Sequence, residues 1–146
     1  IGLLGVGTVG AALVGLLAER GRGVQVAKAL VRDAARARPG LAANQLSDDP
    51  QAVLAAGELI VELMGGAGLA GDLMLQALSE GKRVVTANKA ALAERWDAFA
   101  PFLDAGLVYC EAAVMAGTPG LCPWTAALRA SPPLELHAVL NGTCAY

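Results

Sequence analysis

The first ten residues, IGLLGVGTVG (Ile1–Gly10), constrain this chain more than any other stretch. Gly5, Gly7 and Gly10 fall at the spacing G-x-G-x-x-G. The apolar run Ile1–Leu4 precedes them, and Val9, Leu13, Leu16 and Leu17 follow at helical spacing. A strand, a tight glycine turn and a helix in that order form the context in which this motif holds the pyrophosphate of a dinucleotide. Gly5 permits the sharp turn out of the strand. Gly7 puts no side chain between backbone and phosphate, and Gly10 lets the helix pack closely. Val6, Thr8 and Val9 complete the turn, where the helix offers free N–H groups and the positive end of its dipole. Without its flanking strand and helix, the same spacing describes an ordinary turn that binds nothing.

The rest of the chain alternates short apolar runs with helical patterns. The first helix is expected from Thr8 to about Glu19, with Gly21 as its terminating glycine. Val24–Val31 is apolar except for Lys28, as suits a strand buried on both faces. About 20 positions past such a glycine turn, an acid holds the ribose 2′-hydroxyl. Here the segment reads Val31-Arg32-Asp33. Val31 takes the place of the acid and Arg32 is positioned to meet a 2′-phosphate, which favours NADP over NAD. Asp33 stands as the competing reading, a late acid or a turn residue. Ala34–Gln45, with Pro39-Gly40, reads as a loop or short irregular helix in which Arg36 and Arg38 are solvated charges. Asp49 and Pro50 start a helix that ends near Gly57.

Leu59–Met64 (LIVELM) is a buried strand interrupted by Glu62. That acid sits near the carboxyl end, where sites collect, or pairs with Lys28 or Arg83. Gly65-Gly66 follows and lets a cofactor lie against the backbone. A helix over Gly71–Ser79, with Leu73, Ala77 and Leu78 inward and Gly81 as its stop, leads to a strand ending at Thr86. Lys89 comes directly after. Its ammonium there can protonate or stabilise a developing alkoxide, or it is a surface lysine at a helix start. Helical segments over Ala90–Arg95 and Asp97–Ala105 precede a last strand, Leu107–Cys110, which ends at Glu111. The alternation predicts an α/β fold, a doubly wound, mostly parallel sheet of Rossmann type.

After Glu111, itself a site acid or a capping one, the character changes. Ala112–Cys122 carries Gly117, Pro119 and Gly120 and almost no polar side chains. Its carbonyls need partners if buried, and a hard cation is one way to supply them. Trp124–Ala130 reads as a helix and Leu134–Leu140 as a strand, in which His137 is structural. The domain change is placed between 1–117 and 118–146. The chain begins at Ile1 inside its first strand and stops at Tyr146, so residues are expected beyond both ends.

At 146 residues the chain suits about one domain with a real core. A net charge of −2 gives no footprint for nucleic acid. No apolar run reaches the roughly 18 residues of a membrane span. Cys110, Cys122 and Cys144 are too scattered for a metal knuckle, and a reducing cytoplasm fits them best.

Several blocks together resemble homoserine dehydrogenase: GVGTVG (Gly5–Gly10), VELMGG (Val61–Gly66), VVTANKAALA (Val84–Ala93), EAAVMAGTP (Glu111–Pro119) and LNGT (Leu140–Thr143). The resemblance implies an NAD(P)-dependent oxidoreductase that interconverts L-homoserine and L-aspartate 4-semialdehyde by hydride transfer. This step serves threonine, methionine and isoleucine biosynthesis. It implies cofactor contacts from Gly5–Gly10, Met64, Gly65, Gly66, Thr86 and Gly142, with Thr143 at the substrate and Lys89 as the catalytic group beside the nicotinamide. It also implies a sodium-like monovalent cation at Glu111, Val114, Ala116 and Thr118, held mainly through carbonyls. The later residues would begin a second, α+β domain for substrate binding and homodimerisation. The chain departs from the family where Leu69 replaces a usual proline and Ala145 a frequent asparagine. The family's substrate-binding acids and a second lysine lie past Tyr146, so the isolated chain is expected to bind dinucleotide without turnover. Two other readings stay open. One is an acylating semialdehyde dehydrogenase with Cys144 or Cys110 as nucleophile. The other is a dinucleotide-sensing module without catalysis.

Overall fold

Apolar runs too short for helices become strands: β1 (Gly2–Leu4), β2 (Lys28–Leu30), β3 (Leu46–Ser47), β4 (Leu59–Glu62), β5 (Arg83–Thr86) and β6 (Val108–Tyr109). All pair in parallel, in the order β3-β2-β1-β4-β5-β6. The computed structural model describes residues 1–110, 127, 130, 131, 134 and 135. The chain divides into two compact units, Ile1–Tyr109 and Cys110–Tyr146, and the sheet belongs to the first.

Register sorts the strand side chains onto two faces. Leu3 stands opposite Ala29 and Val61, and Val61 opposite Val85. These share one core with Val14, Leu13 and Leu17 of helix α1 (Thr8–Arg20). On the other face lie Gly2, Leu4, Ile60, Glu62 and Thr86, against α2 (Pro50–Ala56) and α3 (Leu69–Ser79). Gly2 admits α2 closely: a Cβ there would stand 2.7 Å from the Val53 carbonyl oxygen. Helices α4 (Lys89–Glu94) and α5 (Trp96–Asp104) follow β5, and α5 packs on β6. Leu3, Leu4, Ile60, Val53 and Met74 are fully buried. Each such side chain contributes about 1.5–3 kcal/mol relative to an exposed one.

Local signals place most boundaries. Asp49 caps α2 by accepting from Gln51 N at 2.9 Å, and Pro50 is its first residue. Asn88 caps α4 by accepting from Ala91 N at 3.1 Å. Two expectations are corrected, Gly21 ends α1 as expected but without left-handed geometry, and β3 has no local signal. The inward stripe of α1 runs through Gly10, Leu13, Val14 and Leu17, whereas Val9 and Leu16 are 60% and 54% exposed. Gly10 lies against the Gly5 carbonyl just past β1, on the side of the helix that carries this stripe. Gly21 keeps right-handed geometry, φ −65°, and its need for glycine is spatial, because a Cβ would strike the Leu17 carbonyl. The strand expected over 24–31 shortens to Lys28–Leu30, since β1 offers only Gly2–Leu4 to pair with. The edge strand β3, two residues long, is too short to show alternation in sequence.

Two glycines set the approach of α1 to the sheet. Gly5 turns with φ +101°, a region other L-residues rarely adopt. A Cβ on Gly10 would overlap the Gly5 carbonyl oxygen. Gly10→Ala is therefore expected to destabilise by about 1–3 kcal/mol. Gly15→Ala, in the same helix with open space around its Cβ, should stabilise by about 0.4–1 kcal/mol. Urea unfolding of the two variants checks both signs.

Candidate cofactor site

The strand order reverses between β1 and β4: the chain builds β2 and β3 on one side of β1, then returns to place β4 on the other. In open α/β sheets, ligands bind at the carboxyl ends of the strands flanking such a reversal. Two turns leave the sheet there, Gly5–Gly7 after β1 and Leu63–Gly66 after β4. They are held together by Leu63 N donating to Leu4 O at 2.8 Å. Met64 and Leu63 press so near Gly5 that a Cβ there would stand 3.0–3.1 Å from them.

A cleft of about 800 Å³ opens between these turns, bordered by Gly5, Gly7, Met64 and Gly65 and, past β2, by Arg32. Helix α1 begins on it with Gly7 as N-cap, no side chain capping it and no acid in its first turn. Its first N–H groups therefore lack the side-chain acceptors that usually satisfy a helix start. A Cβ on Gly7 would meet no atom within 4 Å, so the space in front of the turn is open. An uncapped helix start, a glycine facing open space and a cleft at the strand reversal together fit the pyrophosphate of a dinucleotide.

At the end past β2, Asp33 is a turn residue, its Oδ1 accepting from Ala35 N at 3.0 Å. Arg32 is exposed on the cleft wall. Arg36 and Arg38 line the same cleft, and Arg36 is exposed there as a solvated charge would be. The Nε of Arg38 is buried without a hydrogen-bond partner. The loop from β2 to β3 brings both arginines to the cleft, and no local pattern announces that. Asp48, just past β3, adds one exposed acid to the wall.

Behind the second turn lies a buried polar circuit. Glu62 is 0% exposed. Its Oε1 accepts from Met64 N at 2.8 Å and Gly65 N at 3.0 Å, and its Oε2 from the Thr86 hydroxyl at 2.7 Å. Thr86 Oγ1 accepts in turn from Asn88 N at 2.9 Å, and Asn88 Nδ2 donates to Gly66 O at 2.7 Å. Burying an unpaired carboxylate costs several kcal/mol. Hydrogen bonds to a charged group return about 1.5–3 kcal/mol each, so three of them make the burial sustainable. The expected pairing of Glu62 with Lys28 or Arg83 is not found. Lys28 Nζ reaches Asn44 O at 3.3 Å instead, and the carboxyl-end position is the one Glu62 takes.

The structure thus brings Gly5, Val6, Gly7, Arg32, Met64 and Gly65 onto one cleft. Thr8 and Val9 sit exposed in the first turn of α1. Gly66 joins through Asn88, and Thr86 lies buried behind the wall. Lys89 is exposed at the first position of α4. The residues that sequence reasoning undervalued are Asn88, Arg36 and Arg38. For Asn88 a signal existed, an Asn directly before a helical segment. Glu111, Val114, Ala116, Thr118, Cys122, His137, Gly142, Thr143 and Cys144 lie outside the described residues. Among the described residues, no cluster of three or more His, Cys, Asp or Glu could hold a metal ion, and no helix is long and apolar enough to cross a membrane.

This sheet order and glycine turn define an α/β domain of the dinucleotide-binding class. Residues 5–101 match the family model for the homoserine dehydrogenase NAD-binding domain. The chain is similar to homoserine dehydrogenase from Neisseria gonorrhoeae, 32% identical across 98% of this chain and 36% of that protein. It is also similar to the one from Synechocystis sp., 35% identical across 100% of this chain and 36% of that one. Among solved structures, a homoserine dehydrogenase from Thiobacillus denitrificans superposes with a TM-score of 0.71 at 33% identity, covering 88% of this chain and 32% of that one. The chain belongs to the homoserine dehydrogenase NAD-binding domain family, and it spans about a third of the length of the curated relatives it matches.

If Gly7 faces a bound pyrophosphate, a methyl group there obstructs the ligand and nothing else. Gly7→Ala should leave the unfolding midpoint within about 0.5 kcal/mol of the parent and weaken dinucleotide binding at least tenfold, measured by calorimetric titration.

Proposed function

We propose that this chain is the cofactor-binding part of a homoserine dehydrogenase that accepts NADP(H) at least as well as NAD(H). The observation that carries the cofactor choice is the pairing of Arg32, free on the cleft wall, with Asp33, whose carboxylate is spent on its own turn. A guanidinium forks onto a 2′-phosphate through two parallel N–H donors, which an adenosine ribose without the phosphate cannot use. The start of α1 holds the pyrophosphate through backbone N–H groups, and Met64–Gly66 forms the opposite wall. The bound nicotinamide supplies or takes the hydride that interconverts homoserine and aspartate 4-semialdehyde.

Lys89 stands at the start of α4, on the turn tied to Gly66 by Asn88. Its ammonium meets no carboxylate among the described residues, which leaves it available to the substrate oxygen. It donates a hydrogen bond or a proton there as charge develops. In this reading Gly142 and Thr143 edge the substrate pocket, and carbonyls of the Glu111–Thr118 loop hold a sodium-like ion. The segment from 118 opens a second domain through which a cytoplasmic homodimer forms.

Arg32→Ala should weaken NADPH much more than NADH in a fluorescence titration, and equal losses would remove the 2′-phosphate assignment. In the full-length enzyme, Lys89→Ala should lower kcat by roughly 10²–10⁴-fold with little change in dinucleotide affinity. A near-normal kcat would defeat the role given to Lys89.

A further inference from the structure

We infer that Glu62 is a positioning residue: its buried carboxylate locks the Met64–Gly66 wall and the Lys89-bearing turn into one rigid unit. The inference rests on the proposed role of Lys89. Three observations support it.

The first is placement. Glu62 and Thr86 are the last residues of β4 and β5 and stand opposite each other in register, on the face that also carries Leu4 and Ile60. Each is thus the final fixed point of its strand before a turn, and the turn after β4 borders the cleft. An apolar side chain at position 62 would suit that core, and the acid is there for the polar atoms of the turns.

The second is closure. One branch runs from Oε1 to the N–H groups of Met64 and Gly65. The other runs from Oε2 through Thr86 Oγ1 to Asn88 N. Asn88 then returns to the first branch by donating to Gly66 O, while its Oδ1 caps α4 at Ala91 N. Residues 64–66 and 86–91 therefore cannot move independently without breaking a bond of 2.7–3.1 Å. Lys89 lies inside the second segment, one residue from Asn88.

The third is direction. The Thr86 hydroxyl has one proton, and giving it to Glu62 leaves only lone pairs to receive the Asn88 N–H. As placed, Met64 N, Gly65 N and the Thr86 hydroxyl all donate to Glu62, so both its oxygens accept. Glutamine can keep its oxygen toward Met64 and Gly65, but its NH₂ then faces Thr86. That NH₂ can donate to the second lone pair of Thr86 Oγ1, but the hydroxyl proton then has lost its carboxylate acceptor and a charge-assisted bond is replaced by a neutral one, which loosens the second branch. Catalysis is sensitive to such loosening, because misplacement by about 1 Å can cost 10²-fold.

The test uses the full-length enzyme. Glu62→Gln should lower kcat 10- to 100-fold while KM for the dinucleotide changes less than threefold. In the Lys89→Ala background the same substitution should cost less than threefold more, because the group it positions is gone. Thr86→Val, which cuts the second branch and leaves the first, should lower kcat at least tenfold, and Thr86→Ser should recover most of that loss. If Glu62→Gln does not fold, the Thr86 pair decides the matter alone. Normal kcat in Glu62→Gln or Thr86→Val overturns the inference, as does full multiplication of the Glu62→Gln and Lys89→Ala losses. Normal kcat in Lys89→Ala alone overturns the functional reading and the inference with it. An impaired Lys89→Ala beside a normal Glu62→Gln overturns only the inference.

Discussion

The parallel pairing of β1 with β4 is the constraint on which the site depends. The chain leaves β1, builds two strands to one side and returns to the other, so the segments leaving β1 and β4 diverge. The carboxyl ends of this pair are left uncovered, and the two turns that begin there face one another. The Leu63 N to Leu4 O bond and the crowding of Gly5 by Met64 and Leu63 hold those turns at contact distance. Moving β4 elsewhere in the sheet would separate the glycine turn from Met64–Gly66 and remove the cleft, whatever their sequences.

The sheet is otherwise an apolar object, with Leu3, Leu4, Ile60 and Val84 essentially inaccessible to water. Against that background the buried polar residues described, Glu62, Thr86 and Asn88, all belong to one circuit at the ends of β4 and β5. A buried acid without a cation is sustained by donors alone, and two of them are backbone N–H groups of the turn that lines the cleft. Polar burial is thus concentrated where turns must hold a shape, and absent from the middle of the strands, where packing suffices.

Electrostatics differs between the chain and its cleft. The net charge is −2, yet Arg32, Arg36 and Arg38 all line the cleft, where Asp33 and Asp48 are the acids among the described residues. Asp33 already accepts a backbone hydrogen bond. A local field set by a few side chains decides which anion is attracted, and global charge is silent about it.

Much of the architecture was legible from residues interacting with their chain neighbours. The turn after β1, the Asp49-Pro50 helix start and the alternation of strands with helices all follow from backbone preferences and capping within a few residues. The same holds for the presence of an acid at the end of the LIVE strand. Other features depended on groups far apart in sequence. Val14 rather than Val9 faces the sheet because Gly10 sits against the Gly5 carbonyl. Strand β3 exists because β2 offers it a ladder, and its two residues carry no periodicity of their own. Arg36 and Arg38 line the cleft through the tertiary course of the loop between β2 and β3, which no local pattern sets. The partner of Glu62 is 24 residues away, and only the register of β4 on β5 brings Thr86 to it. Local chemistry determines what each segment is, but the partners of a buried polar group are set by strand order and register, which no single segment contains.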